Sequence, residues 1–399
     1  MNGRPTDPFE RSRLEPFRPN PHLSEHFSRI AAQNRAKKAR SPDAGSHNLA
    51  HFRMMSRVIS SACESLRDKG TDRCTAVILG AKECADVPLE RLAGEGCVYL
   101  VDVDVPSLHE ARNRVDDPSG RDRIEILPMD ASLFANGLLL EAERRLLEHP
   151  SDIGRAFQAL LALNREAGDR DPAGPFTKAQ LPIRDDSVDL VVSSMTLSQF
   201  TIGYIQVLVE MLLDQYGREK TRRTLLPGSG AGNGLDGAGR IEELQRSTTG
   251  LARRAAESHV RELARVVRPA GLVVLSDHAL HGRCVPINEG EVKVDVPSLI
   301  PYSKNPAEDR TLRFREDRGK KLPAALQVDR TRPDASLVVE GRDALKSTLG
   351  RESRIQILDE RGWWWVTERA KETEDGDVLW NISYVEAFTL TPRRGDKTW

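Results

Sequence analysis

The sequence of 399 residues lacks an excess of charge of either sign, because 59 lysines and arginines stand against 60 aspartates and glutamates. This balance gives no global field that would favour nucleic acid or a membrane as a partner, although local basic patches stay possible. The sequence also has no apolar run of about 20 residues, the length needed to cross a bilayer, and its N-terminus has no apolar signal-peptide core. We therefore expect a soluble cytoplasmic protein.

Cysteine is scarce, and its spacing argues against two common cysteine chemistries. The five cysteines are an odd number and include no Cys-x-x-Cys pair. Two of them lie in or beside apolar stretches that are typical of core strands. We expect buried reduced thiols in preference to disulfides or a zinc site.

The most informative stretch of the chain is 75–112. Its apolar run Ala76-Val77-Ile78-Leu79 is short, rich in β-branched residues and followed by Gly80, which predicts a buried parallel strand. A short helix follows, and then a second apolar run ends on Asp102. Strand, glycine turn, helix, strand and terminal acid is the layout of a nucleotide-binding βαβ unit. The turn lacks the Gly-x-Gly-x-x-Gly pattern of nicotinamide-dependent oxidoreductases, which argues against that class.

The remaining chain continues the alternation of strands and helices. Apolar runs at 123–127, 187–194 and 272–275 predict three more strands, with helical patterns between them. Near the end, 362–368 and 378–390 predict an antiparallel hairpin, with Trp363 to Trp365 as its core and edge. The glycine-rich stretch at 226–240 follows no strand and lacks a Gly-Lys-Ser/Thr ending, so we interpret it as a surface loop. The pattern predicts an α/β fold with a mostly parallel sheet and right-handed crossovers.

Composition divides the chain into four segments. Residues 1–70 begin with a polar, proline-rich part that we expect to be disordered or loosely draped, followed by two helices that form a helical cap. Those helices either cover the carboxyl edge of the sheet as a lid or only shield it. The expected segments that follow are a Rossmann-like core at 71–281, a charged insertion at 282–354 and the hairpin at 355–399.

Three sequence blocks resemble the class I S-adenosylmethionine-dependent methyltransferases. They are ILGAKECADVPLERL with VYLVDVDVPSLHEAR, then LPIRDDSVDLVVSSMTLSQF, and then HVRELARVVRPAGLVVLSDHAL. The resemblance covers about 73–280 and the C-terminal hairpin. It implies a Rossmann-like, mostly parallel seven-stranded sheet with helices on both faces, completed by the antiparallel hairpin.

The resemblance also implies a site for S-adenosyl-L-methionine at the ends of the first four strands. Asp102 would accept hydrogen bonds from the ribose hydroxyls, Asp130 would accept one from the adenine amino group, and Gly80 would let the backbone pass close to the methionine portion. The cofactor-binding residues carried over are Gly80, Ala81, Glu83, Asp102, Val103, Met129, Asp130, Ala131, Ser193 and Ser194.

The glycine loop departs from the family pattern at two positions. Lys82 and Cys84 stand where the family usually has small residues. Lys82 must point away from the cofactor, or its charge would lie near the sulfonium, which Coulomb repulsion disfavours. Glu83 and Asp86 would offset that charge or hold the ammonium of the ligand.

Two residues after the fifth strand are candidates for catalysis. Asp277 and His278 are expected at the carboxyl edge of the sheet, where open α/β sheets bind ligands, and either would serve as a general base. The structural alternative is that Asp277 caps a following helix while the histidines are solvated. A metal site made with His281 would lack a fourth ligand, so no metal is expected.

The predicted activity is methyl transfer from S-adenosyl-L-methionine to an oxygen or nitrogen of an unidentified acceptor, with a small molecule favoured. One alternative is a catalytically inactive methyltransferase fold that serves as a binding module. Another is an RNA or protein methyltransferase, which is disfavoured because Ser193-Ser194 replaces the Asn/Asp-Pro-Pro-aromatic signature of many such enzymes.

Overall fold

The computed structural model describes residues 7–18, 21–22, 24–26, 28–29, 32–33, 44–82, 84–132, 135–169, 180–194, 196–225, 240, 243–244, 247–288, 291–294, 311–313, 317–318, 345, 348–350, 355–372 and 378–393. These residues form a single ten-stranded sheet with helices packed on it.

The strands follow the predicted order along the chain. They are β1 (Cys74–Leu79), β2 (Gly96–Asp102), β3 (Ile124–Pro128), β4 (Val188–Ser194), β5 (Val267–Asn288), β6 (Glu291–Val294), β7 (Thr311–Arg313), β8 (Asp317–Arg318), β9 (Ile355–Glu372) and β10 (Val378–Pro392). Across the sheet the order is β3-β2-β1-β4-β5-β10-β9-β8, with β6 paired to β5 and β7 to β6.

The first five strands are parallel, and β10 runs antiparallel between β5 and β9. The seven strands from β3 to β9 in this order confirm the predicted seven-stranded sheet with an antiparallel hairpin at one side. Three short strands, β6 to β8, come from the predicted insertion and extend the sheet. The strands pair without a bulge at the centre of the sheet, where Ile78 of β1 lies between Leu100 of β2 and Val192 of β4.

The helices fill the connections between strands. They are α1 (Ala44–Asp68), α2 (Leu89–Glu95), α3 (Val105–Asn113), α4 (Pro118–Arg121), α5 (Ala135–Leu147), α6 (Ile153–Asp169), α7 (Thr196–Tyr216), α8 (Arg218–Leu225) and α9 (Thr249–Val266). Within the part of the chain that the structure describes, none of them is long and apolar enough to cross a membrane.

Two apolar layers enclose the sheet. On the first face, α1, α2 and α3 bury side chains such as Met55 and Leu92 against Ile78 and Val192. On the second face, α9 packs Val260 against Val191 and its neighbours. A separate apolar cluster joins α5, α6 and α7 outside the sheet. Helix α1 therefore covers a face of the sheet, whereas the two sequence-based alternatives placed it at an edge.

Three expectations about the course of the chain differ from the structure. Strand β5 continues past Leu275 to Asn288, because β10 pairs with it as far as Cys284 and β6 pairs with its last residues. Asp277 lies inside β5, which runs to Asn288, so the helix-capping alternative for this residue is wrong. Residues 7–18, part of the segment expected to be disordered or loosely draped, form two short 3-10 helices and bury Phe9 against the second face.

Four of the five cysteines are free thiols in the described chain, as the sequence predicts: Cys63, Cys74, Cys84 and Cys97. Burial raises the pKa of Cys63 to about 12 and also raises the pKa of Cys74. Both thiols therefore stay protonated near neutral pH, and a protonated thiol is a poor nucleophile and metal ligand.

Candidate functional site

The loop after β1 is held in an unusual backbone conformation. Gly80 has φ +66°, and Lys82 and Cys84 have φ 41° and 49°. A Cβ added to Gly80 would lie 2.8 Å from Thr196 Oγ1, at the start of α7. Glycine is needed here both for its backbone conformation and for this close approach.

Asp102, the last residue of β2, ties this loop to the neighbouring strand. Its Oδ2 accepts the backbone N–H of Lys82 at 3.1 Å, and its Oδ1 accepts the N–H of Asp104 at 2.9 Å. Ala81 N–H also donates to Val101 O at 3.1 Å. Burial raises the pKa of Asp102, although the two N–H groups and the charge of Lys82 oppose that shift. The carboxylate is thus a buried acceptor at the carboxyl edge of the sheet.

Asp130, after β3, is also buried and bonded to backbone. Its Oδ1 accepts Ser132 N–H at 2.9 Å and its Oδ2 accepts Asn136 N–H at 3.0 Å, which caps the start of α5. Burial raises the pKa of Asp130 against the effect of these bonds. Met129 N–H donates to Asp102 O at 3.1 Å, so the two acidic positions are directly connected through the backbone.

N-terminal residues reach this same edge. Asp130 N–H donates to Phe17 O at 2.9 Å, and Ser24 Oγ donates to Val103 O at 3.2 Å. The apolar members of the predicted site are all buried there: Val103, Met129 and Ala131. Segment 7–29 therefore covers the ends of β2 and β3 in the part that the structure describes.

The two serines of β4 do not share one cleft, because successive side chains of a strand point to opposite faces. Ser193 Oγ lies 2.8 Å from His259 Nε2 of α9, on the second face. Ser194 Oγ donates to Asp86 Oδ2 on the first face. Ser193 and Ser194, both carried over as cofactor-binding residues, therefore face opposite sides of the sheet.

Asp86, at the end of the glycine loop, belongs to a polar chain that sequence reasoning did not assemble. Its Oδ2 lies 3.6 Å from His51 Nε2 of α1, and Trp363 Nε1 of β9 donates to His51 Nδ1 at 3.0 Å. On the other side, Ser276 Oγ donates to Ser194 Oγ at 3.2 Å. Only folding brings these residues together, since 312 positions separate His51 from Trp363.

The two predicted catalytic residues lie farther along β5. The pairing of β4 with β5 ends at Ser194 and Ser276, and Asp277 is the next residue of β5. On the other side of β5, Asp277 pairs with Glu386 of β10. Both carboxyl groups are buried on the second face, opposite the Asp86 chain. His278 pairs with Val385 in the sheet register, and its side chain lies outside the described residues.

Two predicted positions lie wholly or partly outside the described residues. Glu83 lies outside the described residues, as does the side chain of His281. Among the residues that the structure does describe, no group of three or more histidine, cysteine, aspartate or glutamate side chains is arranged to hold a metal ion.

Comparisons with known proteins find limited sequence similarity. No family model matches the chain. The ATP phosphoribosyltransferase regulatory subunits of Bordetella pertussis and Bordetella parapertussis are each 32% identical over 102 residues, which is 26% of this chain and 26% of theirs. The chain thus matches about a quarter of the length of these curated proteins.

Solved structures are similar at low identity. A putative methyltransferase from Bacillus halodurans is 11% identical with a TM-score of 0.34, over 83% of this chain and 98% of that one. A TehB-like methyltransferase from Corynebacterium glutamicum is 9% identical with a TM-score of 0.27, over 91% and 98%. One from Methanosarcina mazei is 12% identical with a TM-score of 0.27, over 79% and 92%.

These overall similarities are weak, so the fold is assigned from the sheet itself. Five parallel strands in the order β3-β2-β1-β4-β5 are followed across the sheet by the antiparallel strand β10 and its hairpin partner β9. This is the arrangement that the three sequence blocks imply. The described core has the fold of the class I S-adenosylmethionine-dependent methyltransferases.

Proposed function

We propose that this protein is an S-adenosylmethionine-dependent methyltransferase that acts on an oxygen or nitrogen of a small-molecule acceptor. The observation that carries the proposal is Asp102, a buried carboxylate at the end of β2 that also anchors the glycine loop through Lys82 N–H. In open α/β sheets ligands bind at this edge, and an acid at this position recognises ribose.

The residues present are compatible with the cofactor. Each carboxylate oxygen of Asp102 accepts one backbone N–H and has a second lone pair for a ligand hydroxyl. Asp130 accepts two backbone N–H groups and the Ser132 hydroxyl, which leaves one lone pair for the adenine amino group. Val103, Met129 and Ala131 supply apolar surface for the adenine ring. Gly80, Ala81 and Glu83 would face the methionine portion.

Lys82 does not contradict this arrangement. Its side chain is exposed, while its backbone N–H serves Asp102. The backbone conformation at Lys82, with φ 41°, lets the loop present this N–H inward. Lys82 thus adopts the left-handed backbone conformation that a glycine would adopt at this position in the family. For a residue with a side chain, this conformation costs about 1–2 kcal/mol.

S-Adenosyl-L-methionine supplies a methyl group that its sulfonium already activates, so the protein has chiefly to align the acceptor with it. Asp277 is the proposed base that would take a proton from a protonated acceptor, with His278 as its neighbour on β5. Ser194, at the end of β4, and its partner Asp86, in the glycine loop, lie on the other face of the sheet.

Calorimetry with three ligands tests cofactor binding. We expect saturable binding of S-adenosylmethionine and S-adenosylhomocysteine and no binding of NAD; binding of NAD alone would overturn the proposal. Methyl-tritiated cofactor incubated with cell extract then separates the alternatives. Label in the small-molecule fraction supports the proposal, label in RNA or protein contradicts the small-molecule acceptor, and binding without transfer indicates an inactive binding module.

Asp102→Ala tests the residue on which the proposal depends. The loss of a buried acceptor should weaken S-adenosylhomocysteine binding by about 1–3 kcal/mol. Asp116→Ala, an exposed aspartate after α3, is the matched control and should leave the affinity unchanged. Equal affinities of the Asp102 variant and the wild type would remove this residue from the site.

A further inference from the structure

A buried polar chain runs from β9 across α1 to the end of the glycine loop. Trp363 Nε1 donates to His51 Nδ1 at 3.0 Å, and His51 Nε2 lies 3.6 Å from Asp86 Oδ2. Ser194 Oγ donates to the same Asp86 oxygen, and Ser276 Oγ donates to Ser194 Oγ. His51 of α1 and Ser194 of β4 therefore both contact the Asp86 carboxylate, and they are hydrogen-bonded in turn to Trp363 of β9 and Ser276 of β5.

The chain determines which nitrogen of His51 carries the proton. An indole N–H is a donor only, so His51 Nδ1 must be the acceptor. A neutral imidazole then has its proton on Nε2, which faces Asp86. Protonation of Nδ1 would set two donors against each other in a site where both rings are 2% exposed. Trp363 therefore holds His51 as the neutral Nε2–H tautomer.

Asp86 is the member of this polar chain that reaches solvent. Its side chain is 22% exposed, whereas the His51 side chain is only 3% exposed. The two side-chain contacts of Asp86 use Oδ2, and the carboxylate also accepts the backbone N–H of Asp86 itself, so at least one lone pair of Oδ1 is left for another partner. Among the residues that the structure describes, no lysine or arginine forms an ion pair with Asp86. A carboxylate that is held in place, partly exposed and not paired with a lysine or arginine of the described chain is suited to a cationic ligand group.

We propose that Asp86 is a further binding residue that holds a cationic group of the ligand, and that His51, in the tautomer that Trp363 imposes, positions it. The inference rests on the proposed function, because the cofactor carries two such groups, a sulfonium and an ammonium. The alternative role of general base is less suitable: burial raises the pKa of Asp86, but His51 and Ser194 lower it by more, so the carboxylate stays ionised and weakly basic.

Three ligands distinguish the cationic groups. S-Adenosylmethionine carries both charges, S-adenosylhomocysteine carries only the ammonium, and 5′-methylthioadenosine carries neither. Asp86→Asn should weaken binding of the first by about tenfold to a hundredfold, as for a charge-assisted hydrogen bond, and leave 5′-methylthioadenosine within about twofold of the wild type. Glu90→Gln, which removes an exposed charge at the start of α2, is the control and should change none of the three.

The response of S-adenosylhomocysteine identifies the group. A parallel loss for this ligand assigns Asp86 to the ammonium, and an unchanged affinity assigns it to the sulfonium; both support the inference. Equal weakening of all three ligands would show a collapsed loop and overturn it, as would no change in any of them. Failure of the wild type to bind any ligand would instead defeat the proposed function.

The positioning role has a readout that needs no ligand. Long-range nitrogen–proton NMR of the wild-type protein should show His51 with a protonated Nε2 and an unprotonated Nδ1. Trp363→Phe removes the indole donor and should allow Nδ1 to become protonated in a folded protein. A wild-type His51 that already carries a proton on Nδ1 would contradict the positioning role, whether or not the Trp363 variant folds.

Discussion

Individual residues in the glycine loop combine backbone conformation with side-chain contacts. The left-handed backbone at Gly80, Lys82 and Cys84 turns the chain sharply after β1 and directs Lys82 N–H to Asp102. Non-glycine residues rarely adopt such angles, and they cluster where a fold holds a functional loop in place. The sequence marks only Gly80 as a turn residue, because Lys82 and Cys84 have no preference for positive φ.

Gly80→Ala should destabilise the protein by more than the cost of placing alanine in a left-handed backbone conformation. Gly70 offers a matched control, because its φ is +86° and a Cβ there would meet nothing within 4 Å. Gly70→Ala should lower the free energy of unfolding by about 1–2 kcal/mol. Gly80→Ala should lower it by about 1 kcal/mol more, since its Cβ approaches Thr196 Oγ1. Urea denaturation of both variants measures the difference, and equal losses would show that Thr196 moves aside freely.

His259 predicts a specific dependence of stability on pH. Burial lowers the pKa of His259 from 6.5 to about 4. Between these values the unfolded chain binds more protons than the folded chain, so stability falls as pH falls from 6.5 towards 4. The loss reaches about 3 kcal/mol near pH 4 for this one residue. Between neutral pH and pH 4, the free energy of unfolding of His259→Gln should fall by about 3 kcal/mol less than that of the wild type. If chemical denaturation gives the same pH dependence for the two proteins, His259 is not buried in its neutral form.

At the scale of elements, the N-terminal segment differs most from what its composition suggests. Residues 7–18 contain two prolines and six charged residues, a composition that suggests a loose chain. Yet Phe9 is 1% exposed, and its ring lies 5.2 Å from that of Tyr99 on β2. Glu10 N–H donates to Pro182 O, and Arg184 N–H donates to Pro8 O. The segment is bound by tertiary contacts, which its own composition does not reveal.

Phe9→Ala should therefore behave as a core substitution. We expect a loss of about 3 kcal/mol in the free energy of unfolding, because the variant leaves a cavity beside Tyr99. Ser12→Ala, at an exposed position nearby, is the control and should change stability by no more than about 0.5 kcal/mol. Chemical denaturation monitored by circular dichroism gives both values. A Phe9 variant as stable as the control would mean that the segment is not part of the core.

For the whole molecule, one consequence of the proposed function is stabilisation by ligand. A ligand that binds only the folded state at about 100 times its Kd adds about 2.7 kcal/mol to the free energy of unfolding. S-Adenosylhomocysteine should raise the Tm accordingly, and the rise should be smaller for Asp102→Ala at the same concentration. An unchanged Tm in the wild type, or the same rise in both proteins, would count against the site.

The sequence by itself determined the five parallel strands, the hairpin, their order along the chain and the fold class, because apolar periodicity and the glycine and proline positions are local properties of the chain. It also predicted the position of Asp102 and Asp130 at the ends of two strands, since each stands next to a recognisable apolar run; their role in a site stays a prediction. The tertiary structure alone decided how far β5 extends, on which face each serine of β4 lies, and that His51, Asp86 and Trp363 meet. These features depend on pairings between residues far apart in sequence, and no local pattern encodes such pairings.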